Sequence, residues 1–143
     1  MATPSIDYPK LLNLDLRAPS DRFKWFLASL LFGARISAAI AVKTYRKFDE
    51  NRLTTPQAIL DAGWDRLVEV LDSGGYARYD FKTATKLLDV CEKLRTEYGS
   101  LEKLHGVSKD KSDLRKRLQE FKGIGPVTAR IFLDELKEIW PKA

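Results

Sequence analysis

Phe121-Lys122-Gly123-Ile124-Gly125-Pro126-Val127-Thr128-Ala129 is the stretch on which the reading of this chain turns. Ahead of it, Asp113 to Phe121 carries Leu114, Leu118 and Phe121 at helical spacing. Behind it, Pro126 suits the first position of a new helix, where a missing N–H loses no bond. That helix is expected to reach Trp140. It carries Ala129, Ile131, Phe132, Leu133, Leu136, Ile139 and Trp140 for burial, and leaves Arg130, Asp134 and Lys137 to solvent. Gly123 and Gly125 between the two helices suit a tight turn that needs positive φ or close backbone approach. The spacing predicts a helix-hairpin-helix.

Such a turn has a physical use. The second helix aims its free backbone N–H groups and the positive end of its dipole at the same point. A phosphate fits there without selecting a base, and Lys122 adds a charge beside it. The alternative is an αα-hairpin used only for packing.

Outward from the turn, the 143 residues fit one domain with a proper core. At 44% hydrophobic and 31% charged, the composition is that of an ordinary soluble protein. No apolar run approaches a membrane span and no apolar signal region is read at the N-terminus, so a cytoplasmic, nucleoid-associated location is expected. The single cysteine, Cys91, excludes an internal disulfide and a four-cysteine iron–sulfur cluster; at mid-helix among apolar neighbours it reads as a core thiol. His105, the one histidine, is read in a polar, basic loop from His105 to Lys111 and not as a metal ligand. A net charge of +5 is compatible with nucleic acid without proving it.

Residues 1–20 lack periodicity and read as an extended arm laid over a helical domain of 21–143. Ser20 or Asp21 is expected to cap a first long helix to Phe32, with Phe23, Phe26, Leu27, Leu30 and Leu31 inward. Gly33-Ala34-Arg35 breaks it, and a second helix runs from Ile36 to Phe48. Thr55-Pro56 starts a short helix to Ala62. Trp64 to Leu71 makes another, stopped by Ser73-Gly74-Gly75-Tyr76. Tyr79 to Tyr98 is the longest, ended by Gly99, and Leu101 to Leu104 adds one turn. The fold class is all-α, an orthogonal helical bundle.

Leu118 to Ala129 fits the pattern L-x-x-x-x-G-[IV]-G-x-x-[TS]-A, and here the chain resembles the helix-hairpin-helix DNA glycosylase superfamily, which includes endonuclease III, oxoguanine glycosylase and the 3-methyladenine glycosylase II type. Leu27 to Ser37 looks like the first helix pair of endonuclease III. Ala62 to Val90 looks like its next helix, glycine turn and long helix. The resemblance covers about Asp21 to Trp140 and implies the six-helix barrel domain of those enzymes, with almost no counterpart of their second domain.

From the resemblance follow the expected contacts: double-stranded DNA, gripped at its backbone by Lys122, Gly123, Ile124, Gly125, Val127 and Thr128. Main-chain carbonyls of Gln119, Phe121 and Ile124 would hold a monovalent cation, K+ or Na+, bridging to phosphate. Gly74 to Tyr79 resembles the Gly-Tyr-x-x-Arg-Tyr loop of oxoguanine glycosylase, which places Tyr76 as an aromatic wedge and Arg78 in the minor groove. Packing of Tyr76 or Tyr79 over the core is the competing reading. Arg35 matches a region where relatives place a gap-filling residue. Lys82 and Lys86 form a basic face, solvated or DNA-facing. Lys109, Lys111, Arg115, Lys116 and Arg117 flank the phosphate position and are expected to face DNA.

Catalysis is where the chain departs from the family. The position of the Schiff-base lysine is Val127, which has no nucleophile. The family's catalytic carboxylate falls beyond Ala143, and Asp134, Glu135 and Glu138 come too early and read as surface charges. No catalytic residue is assigned. The expectation is a DNA-binding module of base-excision-repair ancestry. Its rivals are a monofunctional DNA N-glycosylase without lyase activity completed by a partner subunit, a truncated enzyme, and a protein–protein scaffold whose open barrel face forms a homodimer.

Overall fold

Phe23, Trp25, Phe26, Leu27, Ala28, Leu30 and Leu31 put apolar side chains around most of the first long helix, and a helix apolar on nearly every side must sit inside others. The computed structural model describes residues 6–143, and it is all-α: eight α-helices and no strand among the described residues. The reading of residues 1–5 as arm lies outside the described residues. Within the arm, α1 (Tyr8–Leu11) is a single turn, and Leu12 and Leu16 are pressed into the core.

The central helix α2 (Pro19–Phe32) has Ala18 at its N-cap position, so it starts two residues before a Ser20 cap would place it and three before an Asp21 cap would. Proline takes its first turn, and the Asp21 carboxylate instead accepts the Asp15 N–H at 2.8 Å, tying the arm to the helix. Ser37 caps α3 (Ala38–Glu50), and Thr55 caps α4 (Pro56–Ser73). Gly63, at φ 80 and ψ 170, splits α4 into the two pieces that the sequence predicts. A 3-10 turn (Ala77–Tyr79) leads into α5 (Asp80–Lys93), which widens to a π turn over Leu94–Tyr98.

Ser100 caps α6 (Leu101–Val107), which is longer than one turn and takes in His105. The expected basic loop is therefore corrected. His105 stacks on Trp140 with centroids 4.5 Å apart, and this partner, distant in sequence, draws the residue into ordered structure. Asp110 caps α7 (Lys111–Gln119), and α8 (Pro126–Asp134) follows after a tight turn. Beyond Asp134 the chain tightens into successive turns, so the helix stops short of Trp140, yet Leu136 and Trp140 still face inward.

The core ties α2 to α8. Trp25 Nε1 donates to the Phe132 carbonyl at 3.3 Å, and Phe26 meets Phe132 edge-on at 5.1 Å. Each aromatic buried this way contributes about 2 kcal/mol. Cys91 is buried, and burial pushes its thiol up to about 12. Arg22 reaches from α2 to Glu102 on α6 at 2.6 Å. No helix among the described residues is long and apolar enough to cross a membrane.

Candidate functional site

The turn between α7 and α8 is closed by three backbone bonds: Glu120 N–H to the Lys116 carbonyl at 3.1 Å, Phe121 N–H to Leu118 at 3.2 Å, and Ile124 N–H to Phe121 at 3.0 Å. Gly123 has to be glycine. Its φ is 92, and a Cβ there would lie 2.5 Å from the Lys86 Cδ that crosses it. Gly125 is different. It is extended at φ −97 and ψ −173, and a Cβ would meet nothing within 4 Å. The fold itself makes no use of its missing side chain.

Gly125 is also the N-cap of α8 and supplies no capping group, whereas Asp7, Ser37, Thr55, Ser100 and Asp110 cap α1, α3, α4, α6 and α7 with side-chain oxygens. The first intrahelical bond is Ala129 N–H to the Gly125 carbonyl at 3.1 Å. Among the described residues nothing accepts from the N–H groups of Gly125, Val127 or Thr128. A nine-residue helix thus opens with unsatisfied donors and its positive dipole end at the surface.

Beside this end lies a cleft of about 610 Å³. The turn after α2 lines it with Gly33 and Arg35, the α7–α8 turn with Lys122 and Gly123, and α5 with Lys82, Thr85, Lys86 and Asp89. The α5 residues stand at three- and four-residue intervals, one stripe of a helix. Four cations and one carboxylate therefore meet in one place. Lys86 is the deepest: its Nζ donates to the Leu30 carbonyl at 3.4 Å, and burial, then the neighbouring Lys82, lower its pKa. Gly33 allows the wall to close on α8, since a Cβ there would collide with the Thr128 hydroxyl.

The expected DNA-contacting residues divide. Lys122, Gly123, Gly125 and Val127 are exposed, as are Arg35 in the cleft and Arg78 above the Tyr79 ring at 5.6 Å. The side chains of Ile124 and Thr128 are buried in the turn's own packing, which leaves only their main-chain atoms for the expected contact. Tyr76 is corrected outright. It is 0% exposed and its hydroxyl donates to the Leu31 carbonyl at 2.8 Å, with burial pushing the phenol up to about 12. An aromatic locked in that way is no wedge.

Of the basic cluster, Lys109, Lys111, Arg115 and Lys116 are exposed, but Arg117 turns back to Asp113 at 3.0 Å and to the Tyr98 hydroxyl at 3.5 Å. The Lys109 N–H, followed by Arg117, holds the Asp113 carboxyl below the usual range. Asp134 pairs with Lys137 at 3.5 Å, and Glu135 and Glu138 are exposed on the same segment. Around the α7 end, the carbonyls of Gln119 and Ile124 accept no hydrogen bond from the described residues, and that of Phe121 accepts one. Among the described residues no group of three His, Cys, Asp or Glu side chains is placed to hold a metal.

Sequence reading missed Asp89 and Thr85 as cleft residues, and missed Phe81 and Trp64 at its rim. The first two follow from the helical stripe that carries Lys82 and Lys86. The aromatic pair joins elements whose approach nothing local announces. Comparison with protein-family models, with curated proteins and with solved structures found no match to this chain.

Proposed function

We propose that the chain binds duplex DNA through its sugar–phosphate backbone, with the α7–α8 pair acting as a helix-hairpin-helix and the bundle as the six-helix barrel of a DNA glycosylase-like domain. The observation that carries this reading is the uncapped start of α8 at a bare Gly125, set beside a cleft with Arg35, Lys82, Lys86 and Lys122. One phosphate takes the N–H groups of Gly125, Val127 and Thr128, and its neighbours along the strand take the cleft cations. Main-chain donors and lysines read charge and spacing rather than base edges, so this grip is sequence-independent. The carbonyls of Gln119, Phe121 and Ile124 would hold a monovalent cation, which supplies positive charge toward the same phosphate.

Val127 brings no amine to the start of α8 and Asp134 is engaged with Lys137, so binding rather than bond cleavage is the activity proposed. The test is duplex binding measured across salt concentrations. The slope of log K against log salt should be about −0.9 for each phosphate contacted, and Lys122→Ala should reduce it by about one. Absence of binding, or a slope of zero, defeats the reading.

A further inference from the structure

Two of the exposed large apolar side chains stand together at the cleft's rim. Phe81, in the first turn of α5, is 60% exposed, and Trp64, just past the Gly63 break in α4, is 37% exposed. Their rings meet with centroids 5.0 Å apart at 45°. Trp64 is held: its Nε1 donates to the Thr85 hydroxyl at 3.1 Å, and that hydroxyl donates to the Phe81 carbonyl at 3.2 Å. Thr85 is itself a cleft residue, so the aromatic pair is continuous with the cationic cleft that holds Lys82 and Lys86.

Two aromatic rings left in water next to concentrated positive charge suit an occupant with both a π face and a phosphate. An apolar protein face would bury the rings but would bring nothing to the lysines. A nucleobase still attached to its strand satisfies both at once. We propose that Phe81 and Trp64 form a stacking ledge for an unpaired nucleobase, whose flanking phosphates lie on Lys82 and the other cleft cations. The inference rests on the DNA-binding reading and sharpens it: the preferred ligand is a strand with a base out of the duplex stack, because a base inside an intact helix cannot reach a protein ring from the side. Base–aromatic stacking tolerates any of the four bases.

The chain carries its own probe. Of its three tryptophans, Trp25 and Trp140 are each 2% exposed, so quenching by a bound base reports Trp64. The full chain is titrated with an intact duplex, the same duplex with one bulged nucleotide, and that duplex with the bulged nucleotide lacking its base. The bulged base should quench Trp64 emission and bind about tenfold more tightly than the intact duplex. The baseless bulge, which distorts the backbone equally, should do neither. Phe81→Ala should bring the bulged duplex down to the affinity of the intact one, while Phe81→Tyr keeps the preference. Circular dichroism checks that each variant is folded.

Equal binding of the two bulges without quenching, or a preference that survives Phe81→Ala, overturns the ledge. So does a concentration-dependent dimer that Phe81→Ala dissolves, which would make the pair a contact between copies. Failure to bind any of the three DNAs removes the underlying reading as well. Binding of all three alike, weakened by Gly125→Asp, removes this inference alone.

Discussion

Two glycine turns in this chain look alike in sequence and do opposite things. The turn at Ser73-Gly74-Gly75-Tyr76 is closed. A Cβ on Gly74 would lie 2.5 Å from the Thr44 Cα, and Tyr76 is driven into the core to donate to a carbonyl 45 residues away. The turn at Lys122-Gly123-Ile124-Gly125 is closed only at Gly123, where Lys86 crosses, and is open at Gly125. The first turn uses glycine to let two backbones touch. The second leaves donors and space that the fold does not consume. A glycine that the packing needs and a glycine that it does not need are distinguished only by what stands opposite them.

The contrast breaks most sharply at Tyr76. Tyr76→Ala should cost about 3–5 kcal/mol in chemical denaturation, since it empties a fully enclosed site. Tyr76→Phe keeps the ring and should cost about 1 kcal/mol, the share of the bond to Leu31. A stable Tyr76→Ala that lost DNA binding would restore the wedge. Next comes Gly74→Ala, expected to cost about 1–3 kcal/mol by forcing α3 away from the turn. Gly125→Ala should lie within about 0.5 kcal/mol of wild type, because it meets nothing.

The smallest effect is a pH effect at Lys86. Its folded pKa is lowered below the ordinary 10.5 by burial first and Lys82 second. The unfolded chain therefore binds more protons between the folded pKa and 10.5, and stability rises with pH through that window. Below the folded pKa the full penalty is present. Lys86→Met should raise the melting temperature at pH 7, and this gain should fade as pH climbs from the folded pKa to 10.5. A gain that is constant with pH would mean that packing, not charge, explains it.

Much of this architecture is legible in the amino acids because helix periodicity and caps are local. Thr55 and Gly63 act where their neighbours in sequence say they should, whereas the second helix starts at Ala38 and not at the expected Ile36, because Ser37 caps it. Tyr76 was not legible: an aromatic after two glycines has the same local signature whether it points inward or outward. The Leu31 carbonyl, which decides it, lies on another helix. His105 hides in the same way, since its polar, glycine-flanked neighbourhood suggests a loop until Trp140 stacks on it. Arg35, Lys82, Lys86 and Lys122 were each visible as charges, but their meeting in one cleft depends on Gly33 closing against Thr128. Trp64 and Phe81 meet across a helix break and a glycine turn, a juxtaposition without any periodic trace.

The open turn is the centre of the account, and one substitution addresses it. Gly125→Asp places a carboxylate where the phosphate is proposed to sit and adds a cap to α8, in a position with free space around it. Melting temperature and affinity for a plain duplex are measured on the same samples at low salt. The expected result is a protein at least as stable as wild type that binds the duplex at least tenfold more weakly. Undiminished affinity in a folded Gly125→Asp protein would contradict the account.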